Sequence, residues 1–196
     1  DPIITRYHAV RFAFLLLFYL YIVNEIVSIA WVIIPVAIQA VIQAPIAIAQ
    51  FVKQSSLGLQ VLGEHTLDPL VLGTSIIPVN GERILRAYGL TDHPNIAGGC
   101  LTFALVLLFS VFFYGKKWQF FVAGTVIVPT FLALLLTFSR SAWVALFVTV
   151  SFFLVCEIVL KRWNGMKKLA VLSAVSLLIV MPFVWKNFSV FGQRVN

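Results

Sequence analysis

Charge is what this sequence has least of. Lys, Arg, Asp and Glu make up 11% of its 196 residues, and residues 26–52, 94–115, 118–139 and 141–156 carry none of them. A soluble domain of this length stays near half apolar. Here 61% of residues are hydrophobic and the mean hydropathy is +1.03. Crossing a bilayer as helix takes about 20 apolar residues, so composition excludes a soluble domain and indicates an integral membrane protein.

Other absences narrow the chemistry. There are only two cysteines; Cys100 falls near the start of one span and Cys156 near the end of another. That puts them in opposite leaflets, beyond the roughly 7 Å Cα separation a disulfide tolerates. His8, His65 and His93 are scattered, and HxxxH and CxxC spacings are missing, which argues against a metal site. A GxSxG elbow, a P-loop and a glycine-rich nucleotide fingerprint are missing too, and no cofactor is expected. The net charge of +7 would point to nucleic acid if the basic residues formed a soluble patch. They cluster instead in short loops between spans, where they act as topology determinants, so no nucleic-acid partner is expected.

What is present reads as an all-α, polytopic transmembrane bundle, a single domain over 1–196. Six spans are expected at about 7–24, 26–52, 95–114, 118–138, 141–160 and 167–185. The first is interrupted by Arg11, which is expected to snorkel to the interface; the second can tilt or kink at Pro35 and Pro45. The connection holding Lys116 and Lys117 is basic, and so is the one holding Lys161, Arg162, Lys167 and Lys168. The positive-inside rule places both in the cytoplasm, which puts the 53–94 segment and the Ser139–Arg140–Ser141 turn outside. Segment 53–94 is punctuated by Gly and Pro yet keeps Leu, Val and Ile, so it reads as a folded extracytoplasmic loop rather than a disordered linker. The chain starts at Asp1, residues 1–8 form no secretory signal, and VFGQRVN is no obvious terminus. A piece of a longer polypeptide is therefore expected.

Three groups of polar residues stand out against this background. On a helix, Gln39, Gln43 and Gln50 fall within about 40° of one another, with Ser28 and Pro35 near the same stripe. Such a stripe faces other helices, through interhelical hydrogen bonds, or lines a water-filled cavity. In GERILRAYGLTDHPNIAGG (81–99), Arg83 and Arg86 are three apart, so a helical turn would put both on one side. Asp92, His93, Pro94 and Asn95 supply helix-start chemistry, and Gly98 and Gly99 allow close backbone approach. The positive end of the third helix beside two arginines would attract a phosphate; equally, the arginines would touch lipid headgroups. Arg140 sits at the apex of a tight hairpin with Thr137, Ser139 and Ser141. It either snorkels to headgroups or turns inward to a buried anion beside Arg83 or Arg86. Glu157 is expected to pair with Lys161 at i,i+4.

RAYGLTDHPNIAGG (86–99), followed two spans later by TFSRSAW (137–143), resembles the O-antigen ligase and Wzy-type polymerase superfamily. QFVKQSSLGLQVLGE (50–64) resembles the segment that precedes the first motif. The resemblance covers about 36–196, with its best motifs in 83–146. It implies a bacterial inner-membrane glycosyltransferase that uses a polyprenyl-diphosphate-linked glycan in cell-surface polysaccharide assembly. It also implies ten or more spans and a large outer loop after a span like 167–185, carrying a histidine often proposed as catalytic. Arg140 matches a family arginine that holds the donor diphosphate, Arg86 a second basic position and Arg83 a weaker one; Ser139 accompanies Arg140. His93 matches a variable position and, like Asn95, reads as structural. The expected partners are membrane lipid, the lipid-linked glycan and further membrane proteins. Rival readings are a transporter of a small anion or solute, with Gln39, Gln43 and Gln50 lining its path, and a non-catalytic membrane subunit.

Overall fold

A computed structural model describes residues 2–25 and 28–195. Among these, the helices are α1 (Pro2–Glu25), α2 (Ala30–Lys53), α3 (Pro94–Tyr114), α4 (Lys117–Leu136), α5 (Arg140–Val159), α6 (Trp163–Lys186) and α7 (Phe188–Val195). Strands β1 (Ile76–Val79) and β2 (Glu82–Leu85) lie between α2 and α3. The first six helices are long and apolar enough to cross a membrane, and the chain is a multi-pass membrane protein. Each of the six charge-poor runs became one helix, with ends shifted by a few residues. The short α7, which follows α6, was not foreseen.

Two units divide the chain, residues 1–35 and 36–196. In the first, the Arg11 guanidinium lies 5.4 Å from the centroid of the Tyr7 ring, a cation–π contact one helical turn away.

In the second unit, α3 is the axis. It has 56% of its span buried, against 39% for α4 and 22% each for α5 and α6. Small residues let its neighbours close in: Ala40, Ala44 and Ala47 of α2 are almost fully buried, as are Ala97 and Ala104 of α3 and Ala133 of α4. Close backbone approach replaces the hydrophobic drive that lipid does not supply. The clearest case is Gly98, where an added Cβ would sit 3.0 Å from the side chains of both Ala142 and Ser139. The first turns of α3 and α5 therefore touch. Thr102 Oγ1 strengthens this seam, donating to the Gly98 carbonyl at 2.8 Å and to that of Ala142 at 3.5 Å.

The connection from α2 to α3 holds the sheet. β1 and β2 pair antiparallel with Ile76 opposite Leu85 and Val79 opposite Glu82. Asn80 and Gly81 join them with φ of 50° and 88°, the paired positive angles of a two-residue hairpin turn. α7 packs on β1. Thus α2, α4 and α6 end, and α3 and α5 begin, at the end of the bundle that carries this loop. The connections at Gly115–Lys116 and Leu160–Arg162 lie at the other end.

The α4–α5 turn is built around Phe138, fully buried and at φ 50°. A bulky residue in the left-handed region costs about 1–2 kcal/mol. What holds it there is an aromatic cluster: Phe191, Phe51 and Trp143 have ring centroids 4.8, 5.9 and 6.0 Å away. Removing the ring while relieving the backbone separates the two effects. Phe138→Ala and Phe138→Gly should each lose about 3 kcal/mol or more of stability in detergent. The glycine variant should nonetheless unfold at the higher temperature, reversing the usual order, because only glycine sits without strain at this φ. An alanine variant as stable as the glycine one would show that the turn carries no strain.

Candidate functional site

The loop is fastened to α2 by side-chain amides acting as surrogate backbone. Gln50, fully buried, donates from Nε2 to the Gly89 carbonyl at 2.9 Å and accepts at Oε1 from the Gly89 and Tyr88 N–H groups at 2.8 and 3.3 Å. Two turns earlier, Gln43 Oε1 accepts from the Leu90 N–H at 2.7 Å. Gly89 has φ 62°, and any Cβ there would run into the Gln43 carboxamide, so only glycine fits. Gln54 accepts from the Leu85 N–H at 2.6 Å. Gln50 Nε2 also donates to Glu64 Oε1 at 2.8 Å, and Glu64 takes the Leu57 and Leu59 N–H groups at 2.7 and 2.6 Å. Burial alone would raise the Glu64 pKa, but these hydrogen bonds from Gln50 and the 57–59 backbone outweigh it and hold the carboxyl below its ordinary value.

Beyond the loop's hairpin, Arg86 ties the loop to two helix ends. Its backbone N–H reaches the Ser75 carbonyl at 3.4 Å, and the next N–H, of Ala87, donates to the Leu136 carbonyl at the end of α4 at 2.9 Å. The side chain is 4% exposed. Nε donates to the Thr137 carbonyl, Nη1 to Ser75 Oγ and Nη2 to Asn95 Oδ1, each at 2.7 Å. One planar guanidinium thus joins the hairpin, the α4–α5 turn and the start of α3, which the point charge of a lysine would not do. Tyr88 supports the hairpin, its hydroxyl accepting from the Ser75 N–H at 2.6 Å.

His93 is the N-cap of α3, with its Nδ1 accepting from the Asn95 N–H at 3.1 Å, and Pro94 takes the first helical position. Burial, and then the nearby Arg86 charge, depress its pKa, so near neutral pH the ring is uncharged and able to accept. Ser139 is the N-cap of α5 but makes no side-chain cap bond; its hydroxyl lies 3.2 Å from that of Ser141. Arg140, the first residue of α5, is exposed. Two positive helix ends therefore stand side by side, with Arg86 buried between the elements and Arg140 exposed on the surface, an arrangement suited to an anion.

The sequence-derived residues divide accordingly. Arg86, Asn95 and the turn holding Ser139 come together, with His93 beside them, and Arg140 follows Ser139 but is not turned into a buried site. Arg83 does not share a helical face with Arg86. It lies on β2 opposite Pro78, and strand alternation sends residues three apart to opposite sides. Its Nε is buried with no hydrogen-bond partner. Gln43 and Gln50 anchor loop backbone rather than line a passage, and the gap bordered by Gln39, Gln43, Gly89 and Thr91 has no room for a water molecule. In Gln43 and Gln50 the polar stripe is thus engaged by loop backbone. The Glu157–Lys161 expectation is corrected: Glu157 is buried, hydrogen-bonded by the Tyr114 hydroxyl at 3.2 Å, and makes no ion pair among the described residues. Sequence reasoning missed Glu64, Ser75 and the exposed 2.7 Å pair of His65 with Asp92. His8 has a side chain outside the described residues.

No family model matches the chain, and no curated protein or solved structure matches it either.

Two outcomes test this frame. Gln50→Leu keeps the volume but strands Gly89 and Glu64, at about 2 kcal/mol or more. Native-state proteolysis within 54–93 should accelerate about thirtyfold, and an unchanged rate would remove Gln50 as the anchor. For His93 the folded pKa lies below the ordinary imidazole value of about 6.5, so the unfolded chain binds the proton more readily. Its contribution is present above that value and is lost as pH falls through the lowered folded pKa. Thermal stability should drop between pH 7.5 and 5.5, and less so in His93→Asn, which keeps a neutral cap. Identical pH profiles would exclude His93 as the titrating group.

Proposed function

We propose that the chain is the membrane part of a glycosyltransferase of bacterial cell-surface polysaccharide assembly, of the O-antigen ligase and Wzy-type polymerase kind. In this reading the loop end faces the outside of the inner membrane, and Arg140 binds the diphosphate of a polyprenyl-linked glycan. The observation that supports it is the pairing of the α3 and α5 N-termini with an exposed arginine at the first residue of α5. When an acceptor hydroxyl displaces a lipid diphosphate, negative charge builds on the leaving group. Guanidinium and helix-end N–H groups fixed beforehand stabilise that charge without a metal. Arg86 takes the positioning role, since three of its N–H groups are engaged by protein oxygens. A solute path through the bundle has no comparable support, because Gln43 and Gln50 are bonded to the loop.

The test is glycan transfer by the intact protein. Arg140→Ala should lower turnover about a hundredfold and Arg140→Lys about tenfold, with the unfolding temperature in detergent nearly unchanged for an exposed side chain. Turnover of Arg140→Ala within twofold of wild type would reject the role.

A further inference from the structure

At the end of the bundle away from the loop, a cavity of 360 Å³ is lined by Phe113, Tyr114, Glu157, Arg162, Gly165 and Lys168, among others. Glu157 is 2% exposed. It lies against Gly165, where any added Cβ would meet its carboxylate, so the negative group faces the first turn of α6, the end of a helix that favours it. The cations are arranged differently. Arg162 rests 5.4 Å from the Tyr114 ring centroid, and Lys168 Nζ rests 5.0 Å from that of Phe120. Neither makes an ion pair among the described residues. With Lys161 also on the lining, three positive groups surround one carboxylate, and the cavity favours a net negative occupant.

Phe120 also borders a second space, an apolar groove of 590 Å³ between α4 and α6. It runs along α4 from Phe120 to Leu132 and along α6 from Val171 to Ile179, about 18 Å of helix on the α4 side. Lys168 joins the two spaces, lining the cavity while its ammonium covers Phe120 at the head of the groove. An apolar helix would fill the groove and leave the cations unused, and a soluble anion would do the reverse. The geometry points to a site for one anionic glycerophospholipid, its phosphate held by Lys168 and Arg162 and one acyl chain lying between α4 and α6. This site is separate from Arg140 and independent of the proposed transfer activity.

Native mass spectrometry of the full chain in neutral detergent, with equimolar phosphatidylglycerol and phosphatidylcholine, tests it. Phosphatidylglycerol should be retained about fivefold or more over phosphatidylcholine. Lys168→Gln and Arg162→Gln should each lower that preference about fivefold, the expected effect of one cation near a headgroup. Gly124→Leu, which fills the groove, should lower retention of both lipids. Lys117→Gln, outside the cavity, should change nothing. Equal retention of the two lipids by the wild-type chain would overturn the site. A loss in Lys117→Gln matching that in Lys168→Gln would overturn it in favour of diffuse attraction, and unchanged retention in Gly124→Leu would overturn the acyl groove.

Discussion

The buried guanidinium of Arg86 is the interaction on which the loop end depends. It makes three 2.7 Å hydrogen bonds to oxygens from the hairpin, the α4–α5 turn and the start of α3. A buried charge is costly unless hydrogen-bonded, and losing any one of these acceptors would leave a donor stranded. The three elements are therefore coupled: the hairpin cannot move without disturbing Thr137, nor Thr137 without Asn95. Gly98 completes the constraint from the helix side by bringing the first turns of α3 and α5 into contact. With that frame in place, the position and outward exposure of Arg140 follow from its place in the chain, one residue after a buried Ser139.

The same logic explains the glutamines of α2. An irregular segment packed on a helical bundle leaves backbone donors and acceptors that no regular ladder can satisfy. Gln50 supplies both an acceptor and a donor to Gly89, and Gln43 supplies an acceptor to Leu90. Each carboxamide is neutral, so the stripe can sit at the end of an apolar helix without the desolvation cost of a charge. Glu64 is the exception. Its carboxylate is tolerated because Gln50 and two backbone N–H groups share it, which is also why its proton is lost more easily than usual.

Much of the bundle was legible because lipid imposes a simple rule: charge-poor runs of about 20 residues form long apolar helices, and all six did. The start of α3 was legible for a local reason, since Asp92-His93-Pro94-Asn95 is helix-start chemistry whatever surrounds it. Val79-Asn80-Gly81-Glu82 was equally local, and the Asn-Gly pair could have disclosed the hairpin; taking Arg83 and Arg86 as helical neighbours hid it. What the sequence could not disclose were partners far apart along the chain. The polar stripe of α2 was visible, but its partner was loop backbone around Gly89, not another helix. Glu157 and Lys161 had a sound i,i+4 rationale, yet Tyr114 and Gly165, brought in by other helices, fix the carboxylate instead. Local rules read the elements well and fail wherever a polar side chain has a choice between a near partner and a distant one.

That choice also distinguishes the two ends of the bundle. At the loop end the most buried cation, Arg86, is engaged by neutral protein oxygens, and its charge serves to hold a shape. At the opposite end the buried acidic side chain is Glu157, while two of the cations around it, Arg162 and Lys168, rest on aromatic faces, where a guanidinium or ammonium keeps donors available. A cation–π contact holds a cation in place without neutralising it, whereas an ion pair would do both. Rings beneath Arg162 and Lys168 thus fix their positions while preserving their positive potential, and that potential opens onto a groove of purely structural origin between α4 and α6. An apolar groove of this kind offers a ligand little polarity of its own. Whether one becomes a site depends on which charges stand at its mouth.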